Sequence, residues 1–87
     1  MQIKYHRLFQ KHYRQRIAPN KNLTARFQAR LAIRIEDPLN AILKDHQLIG
    51  KFKQYRAFSI TGDVRVIYRI NDNTIFLYDI GTHNQVY

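Results

Sequence analysis

Near the N-terminus apolar residues recur at a helical interval. Phe9, Tyr13 and Ile17 fall at i, i+4 and i+8, while Arg7, Lys11 and Arg14 occupy another face. The spacing predicts a helix from Arg7 that stops at Ala18-Pro19-Asn20, because the residue before a proline is pushed out of the helical region. A second helix should start at Asn20 or Asn22, either one a serviceable N-cap, and run to about Asp37. Its Leu23, Phe27, Leu31 and Ile35 repeat every four residues and should face a core. Arg26, Arg30 and Arg34 repeat at the same interval on a different face. Like charges so spaced destabilise an isolated helix by roughly 0.2–0.5 kcal/mol per pair, a cost that a bound anion would relieve. Asp37-Pro38 ends this helix, and Leu39 to Leu43 reads as one further turn. Gln2 to Tyr5 alternates weakly and reads as a short first strand.

Beyond Gly50 the period switches to two. Arg56, Phe58 and Ile60 share one face of a strand, and Tyr55, Ala57 and Ser59 the other. Thr61-Gly62-Asp63 reads as a tight hairpin connection in which glycine supplies the unusual backbone angles. Val64, Val66, Tyr68 and Ile70 then alternate with Arg65, Ile67 and Arg69. Asn71-Asp72-Asn73 makes a second turn, and Thr74 to Ile80 a third strand. Helices that precede strands, rather than alternating with them, indicate an α+β fold. The expected architecture is two N-terminal helices packed on one face of a small antiparallel β-sheet, with the other face partly open.

Length and charge sharpen this picture. Eighty-seven residues form a single domain spanning 1–87, one that buries only about 60% of the surface its unfolded chain exposes. Cysteine is absent, so neither disulfides nor thiolate metal sites contribute. No apolar run approaches the roughly 18 residues of a membrane span, and MQIKYHRLF lacks a signal-peptide core. The chain therefore reads as soluble and cytoplasmic, with no membrane partner. Net charge is +9. Residues Met1 to Ile35 carry nine cations and no acid, which implies a polyanion or an acidic partner, with nucleic acid the default polyanion.

Candidate chemistry gathers at the strand edges, at His46, Arg56, Asp63, Arg65, His83 and Tyr87. Metal-free RNA cleavage needs a base for the 2′-hydroxyl, an acid for the leaving 5′-oxygen, and cations for the charge that builds between them. Histidine suits the first two roles and arginine the third. Each residue also has an ordinary structural use: His46 and His83 as loop histidines, Asp63 in turn chemistry, Arg65 as a snorkelling strand residue or partner for Asp63. Tyr87 is the last residue. No zinc-type histidine spacing, phosphate-binding glycine loop or serine-triad elbow is present, so no metal or other cofactor is expected.

The segment KDHQLIG, then YRAFSITGDVRVIYRI and IFLYDIGTHNQVY, resembles the RelE/ParE superfamily of type II toxins, and within it the YafQ-like ribonuclease toxins. The motif match covers Lys44 to Tyr87; over the first half the likeness is architectural. The resemblance implies two helices against an antiparallel sheet and the metal-independent endoribonuclease activity of an mRNA interferase. Such a toxin cleaves mRNA in the ribosomal A site and inhibits translation. It implies His46, Asp63, Arg65 and His83 as catalytic residues, with Arg65 matching a strand arginine of the RelE and YoeB branches. Lys51, Lys53, Arg56 and Tyr87 follow as RNA contacts, and the partners as a cognate acidic antitoxin, mRNA and ribosomal RNA. Ser59 stands where YafQ-like toxins have a second histidine, and Val64 where they have a tryptophan. The alternative within the fold is a ParE-like, non-nuclease poison of DNA gyrase, which needs no histidine pair. An RNA-binding domain without catalysis is a third reading.

Overall fold

The computed structural model describes residues 1–87. The chain opens with strand β1 (Gln2–Tyr5), followed by helix α1 (Arg7–His12), which continues through a π-helical turn at Tyr13–Ile17. His6 caps α1, its Nδ1 accepting from the Leu8 amide. Asn20 caps α2 (Lys21–Glu36), accepting from the amides of Asn22 and Leu23, as an N-cap asparagine does. Of the two caps the sequence offered, Asn20 is therefore the one used.

After α2, a 3₁₀ turn at Ala41–Leu43 leads to β2 (His46–Gln47), and a second 3₁₀ turn at Gly50–Phe52 leads to β3 (Arg56–Ser59). Strands β4 (Val64–Asn71) and β5 (Thr74–Thr82) form the long hairpin, and α3 (His83–Val86) closes the chain. The sheet order is β1-β5-β4-β3-β2. Pairing is antiparallel from β2 to β5, as the hydrophobic pattern predicts. At the far edge β1 lies parallel to β5, so the sheet is mixed there. A parallel neighbour 72 residues away, as Gln2 is from Thr74, leaves no turn signal in the sequence.

The predicted faces hold. Phe58, Ile60, Val66, Tyr68, Ile75, Leu77 and Ile80 pack against Phe9, Ile17, Phe27, Leu31 and Leu43 in the main core. Leu23 and Ile35 flank it, half-buried. On the opposite face Leu48, Ala57 and Ile67 form a smaller cluster covered by Phe52, Tyr55, Tyr78 and Val86. In the β4–β5 pair, Ile67 faces Asp79 and Tyr68 faces Leu77, which leaves Tyr78 as the extra residue of a bulge. A bulge re-aims the side chains around it. It brings Asp79 into the interior, where its Oδ1 accepts from His12 Nδ1 at 2.6 Å and from the Ile80 amide at 2.8 Å.

Two expectations are corrected. Gly62 does not adopt a left-handed conformation; the left-handed turn residues are Asp72 (φ 49°) and Asn73 (φ 58°) of the β4–β5 hairpin. The Thr61 hydroxyl instead shapes the β3–β4 turn by accepting from the amides of Asp63 and Val64. The arginine stripe of α2 is also not reserved for an anion. Arg30 donates to the carbonyls of Ile42 and Ser59, and the largely covered Arg34 side chain pairs with Asp45 and Tyr68. These contacts disperse the charge inside the protein, at positions that flank the core stripe closely enough for arginine to reach buried acceptors.

Candidate active site

The sheet delivers four polar side chains to one cleft. His46 opens β2 at the sheet edge, Arg65 projects from the second position of β4, and His83 and Tyr87 come from α3 and its end. Together with Gln47, Leu48, Ile49 and Phe52 they line a cleft of about 400 Å³. A larger hollow of about 470 Å³ lies between α1 and α2. It is lined mainly by aromatic and aliphatic side chains and contains no histidine or carboxylate, whereas the smaller cleft gathers two histidines and an arginine.

Within the cleft the groups are oriented. Arg65 Nη1 donates to His83 Nδ1 at 3.1 Å. The His83 and Tyr87 rings meet edge-to-face at 4.6 Å, and the Arg65 guanidinium lies 5.9 Å from the centre of the Tyr87 ring. Arg65 Nε is buried and has no hydrogen-bond partner. A buried donor without a partner costs free energy. His46 Nδ1 donates to the Lys44 carbonyl at 3.0 Å, which leaves Nε2 as the free acceptor.

The supports come from both ends of the cleft. Lys44 is left-handed at φ 48°, and next to it Asp45 is clamped by three donors. Arg56 Nε lies 2.8 Å from Oδ1 and Arg34 Nε 3.0 Å from Oδ2, and the Tyr68 hydroxyl also donates to Oδ2. Burial, followed by the Asp45 contact, pushes the Tyr68 phenol up to about 12. His46 thus follows a residue fixed on three sides. At the other end Thr82 begins α3 with a capping box, its amide donating to Gln85 Oε1 at 2.8 Å. Asp63 Oδ1 stands 3.5 Å from the His83 amide. Gly81 leaves room for two side-chain ends, since a Cβ there would fall 2.6 Å from Arg16 Nη1 and 2.7 Å from Gln85 Oε1 and displace them.

Over residues 1–87 the chain matches the model of a family described as YafQ, the bacterial toxin of type II toxin–antitoxin systems. The chain belongs to the YafQ family. Among solved structures it resembles YafQ from E. coli strain BL21(DE3), with 25% identity, a TM-score of 0.84, and coverage of 98% of this chain and 96% of that one. The E. coli DinJ–YafQ toxin–antitoxin complex gives 25% identity and a TM-score of 0.81 over 98% and 94%. A metal-bound toxin from Helicobacter pylori gives 26% identity and 0.80 over 100% and 99%. A search of curated protein sequences finds no significant match.

Against this YafQ-family background, the residues singled out in the sequence separate into groups. His46, Arg65, His83 and Tyr87 share the cleft. Asp63 is beside it, positioned under the start of α3 rather than lining it. Lys51 and Lys53 are exposed on the turn that carries Phe52, with Lys51 Nζ 5.3 Å from the Phe52 ring centre. Arg56 lies outside the cleft. It shares the strand face of Phe58, and the Asp45 carboxylate holds its guanidinium above the ordinary range against the opposing effect of desolvation. Ser59 is buried and directly opposite Arg65 across β3 and β4. A cation at position 65 therefore occupies the cross-strand neighbourhood of the missing histidine. Nowhere do three His, Asp or Glu side chains converge in a metal-holding group. Sequence reasoning missed α3 and Gln85, although Thr82-x-x-Gln85 is a capping-box pattern.

Proposed function

We propose that this YafQ-family chain is a ribosome-dependent mRNA endonuclease that acts by 2′-hydroxyl attack on the scissile phosphate. The observation that carries this reading is the single cleft that gathers His46, Arg65 and His83, with Arg65 donating to His83. His46, with Nδ1–H tied to a carbonyl, presents its Nε2 lone pair and takes the 2′-hydroxyl proton. The 2′-oxygen attacks phosphorus, the bond to the 5′-oxygen breaks, and His83 protonates that oxygen. The products carry a 2′,3′-cyclic phosphate and a 5′-hydroxyl. Arg65 turns its guanidinium towards the phosphate, where a planar cation stabilises the developing charge. Protonation of His83 at Nδ1 requires Arg65 Nη1 to release it, so arrival of the phosphate and arming of the acid are coupled. Ser59 supplies no base, which leaves proton transfer to the two histidines of the cleft.

Tyr87 offers its half-exposed ring to a base, and the exposed Lys51 and Lys53 serve as phosphate contacts. As with DinJ in the E. coli complex, an antitoxin is the expected partner, acidic to complement a charge of +9. The experiment is primer extension on a translated message after induction of the protein. New 5′ ends within codons, lost when translation is blocked, are expected. Intact message accompanied by gyrase-linked DNA breaks would overturn the reading in favour of a gyrase poison.

A further inference from the structure

The open sheet face does not end at the cleft. Phe52 at the cleft's mouth meets Tyr55 edge-on at 6.3 Å, and Tyr55 stacks on Tyr78 at 4.8 Å with planes 27° apart. His6 follows at 5.0 Å from Tyr78. Beside this run lies a cross-strand row of Lys4, Phe76 and Arg69 on β1, β5 and β4. Lys4 Nζ and Arg69 Cζ stand 5.9 Å and 4.4 Å from the Phe76 ring centre. A hollow of about 270 Å³ opens among Lys4, His6, Tyr55, Arg69, Phe76 and Tyr78.

We propose that this face is a second RNA subsite, a track that holds the single strand beyond the scissile step; the inference rests on RNA being the substrate. The first argument is charge. Arg16, Arg30, Arg34 and Arg56 are spent on carbonyls and carboxylates inside the fold. Lys4 and Arg69 make no ion pair, and none of the six acidic residues lines this hollow or the cleft. The second argument is chemistry. Half-buried aromatic rings lining a hollow beside unneutralised cations are the combination that takes up bases and phosphates of a single strand, with little dependence on sequence. The third is continuity, since Phe52 belongs to the cleft and touches the first ring of the track. An acidic peptide would use the cations but leave the rings without stacking partners, so the occupant is nucleic acid.

The test measures anisotropy of labelled 2′-deoxy oligomers, which lack the attacking hydroxyl, with wild type, the double variant Lys4→Gln/Arg69→Gln, and Tyr78→Leu. Leucine keeps an apolar side chain over Ala57 and Ile67 while removing the stacking surface; thermal melts confirm that both variants fold. Extending the oligomer from a trinucleotide to a decamer should tighten wild-type binding at least about fivefold, the factor expected of one stacked base. Both variants should lose that gain while binding the trinucleotide like wild type, and the double variant should show a shallower salt dependence. A decamer that binds no tighter than the trinucleotide overturns the proposal, as does a gain that survives in both variants. Polyglutamate whose affinity falls in the double variant, with no effect of Tyr78→Leu on either ligand, would assign the face to an acidic protein segment. Loss of ribosomal message cleavage and of trinucleotide binding, with the length-dependent gain intact, would instead remove the nuclease reading and leave the track.

Discussion

Replacing Asp45 with alanine is the sharpest probe of how the fold holds the site. The Asp45 side chain is 9% exposed and Arg34 12% exposed, so the carboxylate balances a guanidinium with little access to water. Removing one partner of a buried pair costs roughly 3–5 kcal/mol, because the remaining charge is left uncompensated. Arg56 is 39% exposed and adds little, about 0–1 kcal/mol, since solvent screens it. Tyr68 loses its acceptor but keeps Arg34 Nε at 2.7 Å. The expected loss is therefore about 3–5 kcal/mol, a large part of the ~4–13 kcal/mol typical of a domain this size. Urea unfolding followed by circular dichroism should show the midpoint falling by about 2–3 M, for a slope near 1.5 kcal/mol per M. Asp45→Asn keeps the shape and one acceptor and should fall between the two. Replacing the pair together, Asp45→Leu with Arg34→Met, should recover much of the loss. A loss below about 1 kcal/mol in Asp45→Ala would refute the reasoning, because it would mean that water reaches Arg34 freely.

The remaining predictions concern pH, capping and crowding. Tyr68 is raised from its ordinary 10 to about 12 in the folded protein, chiefly by burial and then by Asp45. A raised folded value stabilises below the unfolded one, so unfolding free energy should hold up to about pH 10 and fall between there and about 12. The fall amounts to ~3 kcal/mol at most, and Tyr68→Phe should flatten that limb of a pH-dependent urea series. Thr82→Ala removes the α3 cap and should cost about 0.5–2 kcal/mol in the same unfolding assay. It should also lower message cleavage by loosening His83. Gly81→Ala forces Arg16 and Gln85 apart from the new methyl and should cost about 1–3 kcal/mol, whereas Gly62→Ala, which meets nothing within 4 Å, should unfold like wild type.

What the sequence made legible was local. Phe9, Ile17, Phe27 and Leu31 announce their burial by recurring every four residues, and the alternation from Arg56 to Ile70 assigns each strand residue to its face. The cleft was legible through the motif segments, which carried His46, Arg65, His83 and Tyr87. What escaped was decided by distant parts of the chain. Arg34 and Tyr68 meet Asp45 through tertiary packing, so the arginine stripe of α2 looks in sequence like an anion site when two of its members serve the fold. The parallel seat of β1 against β5, the two-residue β2 and the bulge at Tyr78 depend on sheet assembly rather than on any local pattern. The glycine at 62 and the Asn-Asp-Asn turn carry similar turn signals, yet only the second uses left-handed backbone.

The central claim is that two histidines divide the proton transfers across Arg65. It is tested most directly by purified protein acting on message bound to ribosomes, comparing wild type with His46→Ala and His83→Ala and reading the chemistry of the new ends. Wild type should leave 2′,3′-cyclic phosphate and 5′-hydroxyl ends, and each variant should cleave about 10²–10⁴ times more slowly. Undiminished cleavage in both variants, or ends bearing a 5′-phosphate, would contradict the account.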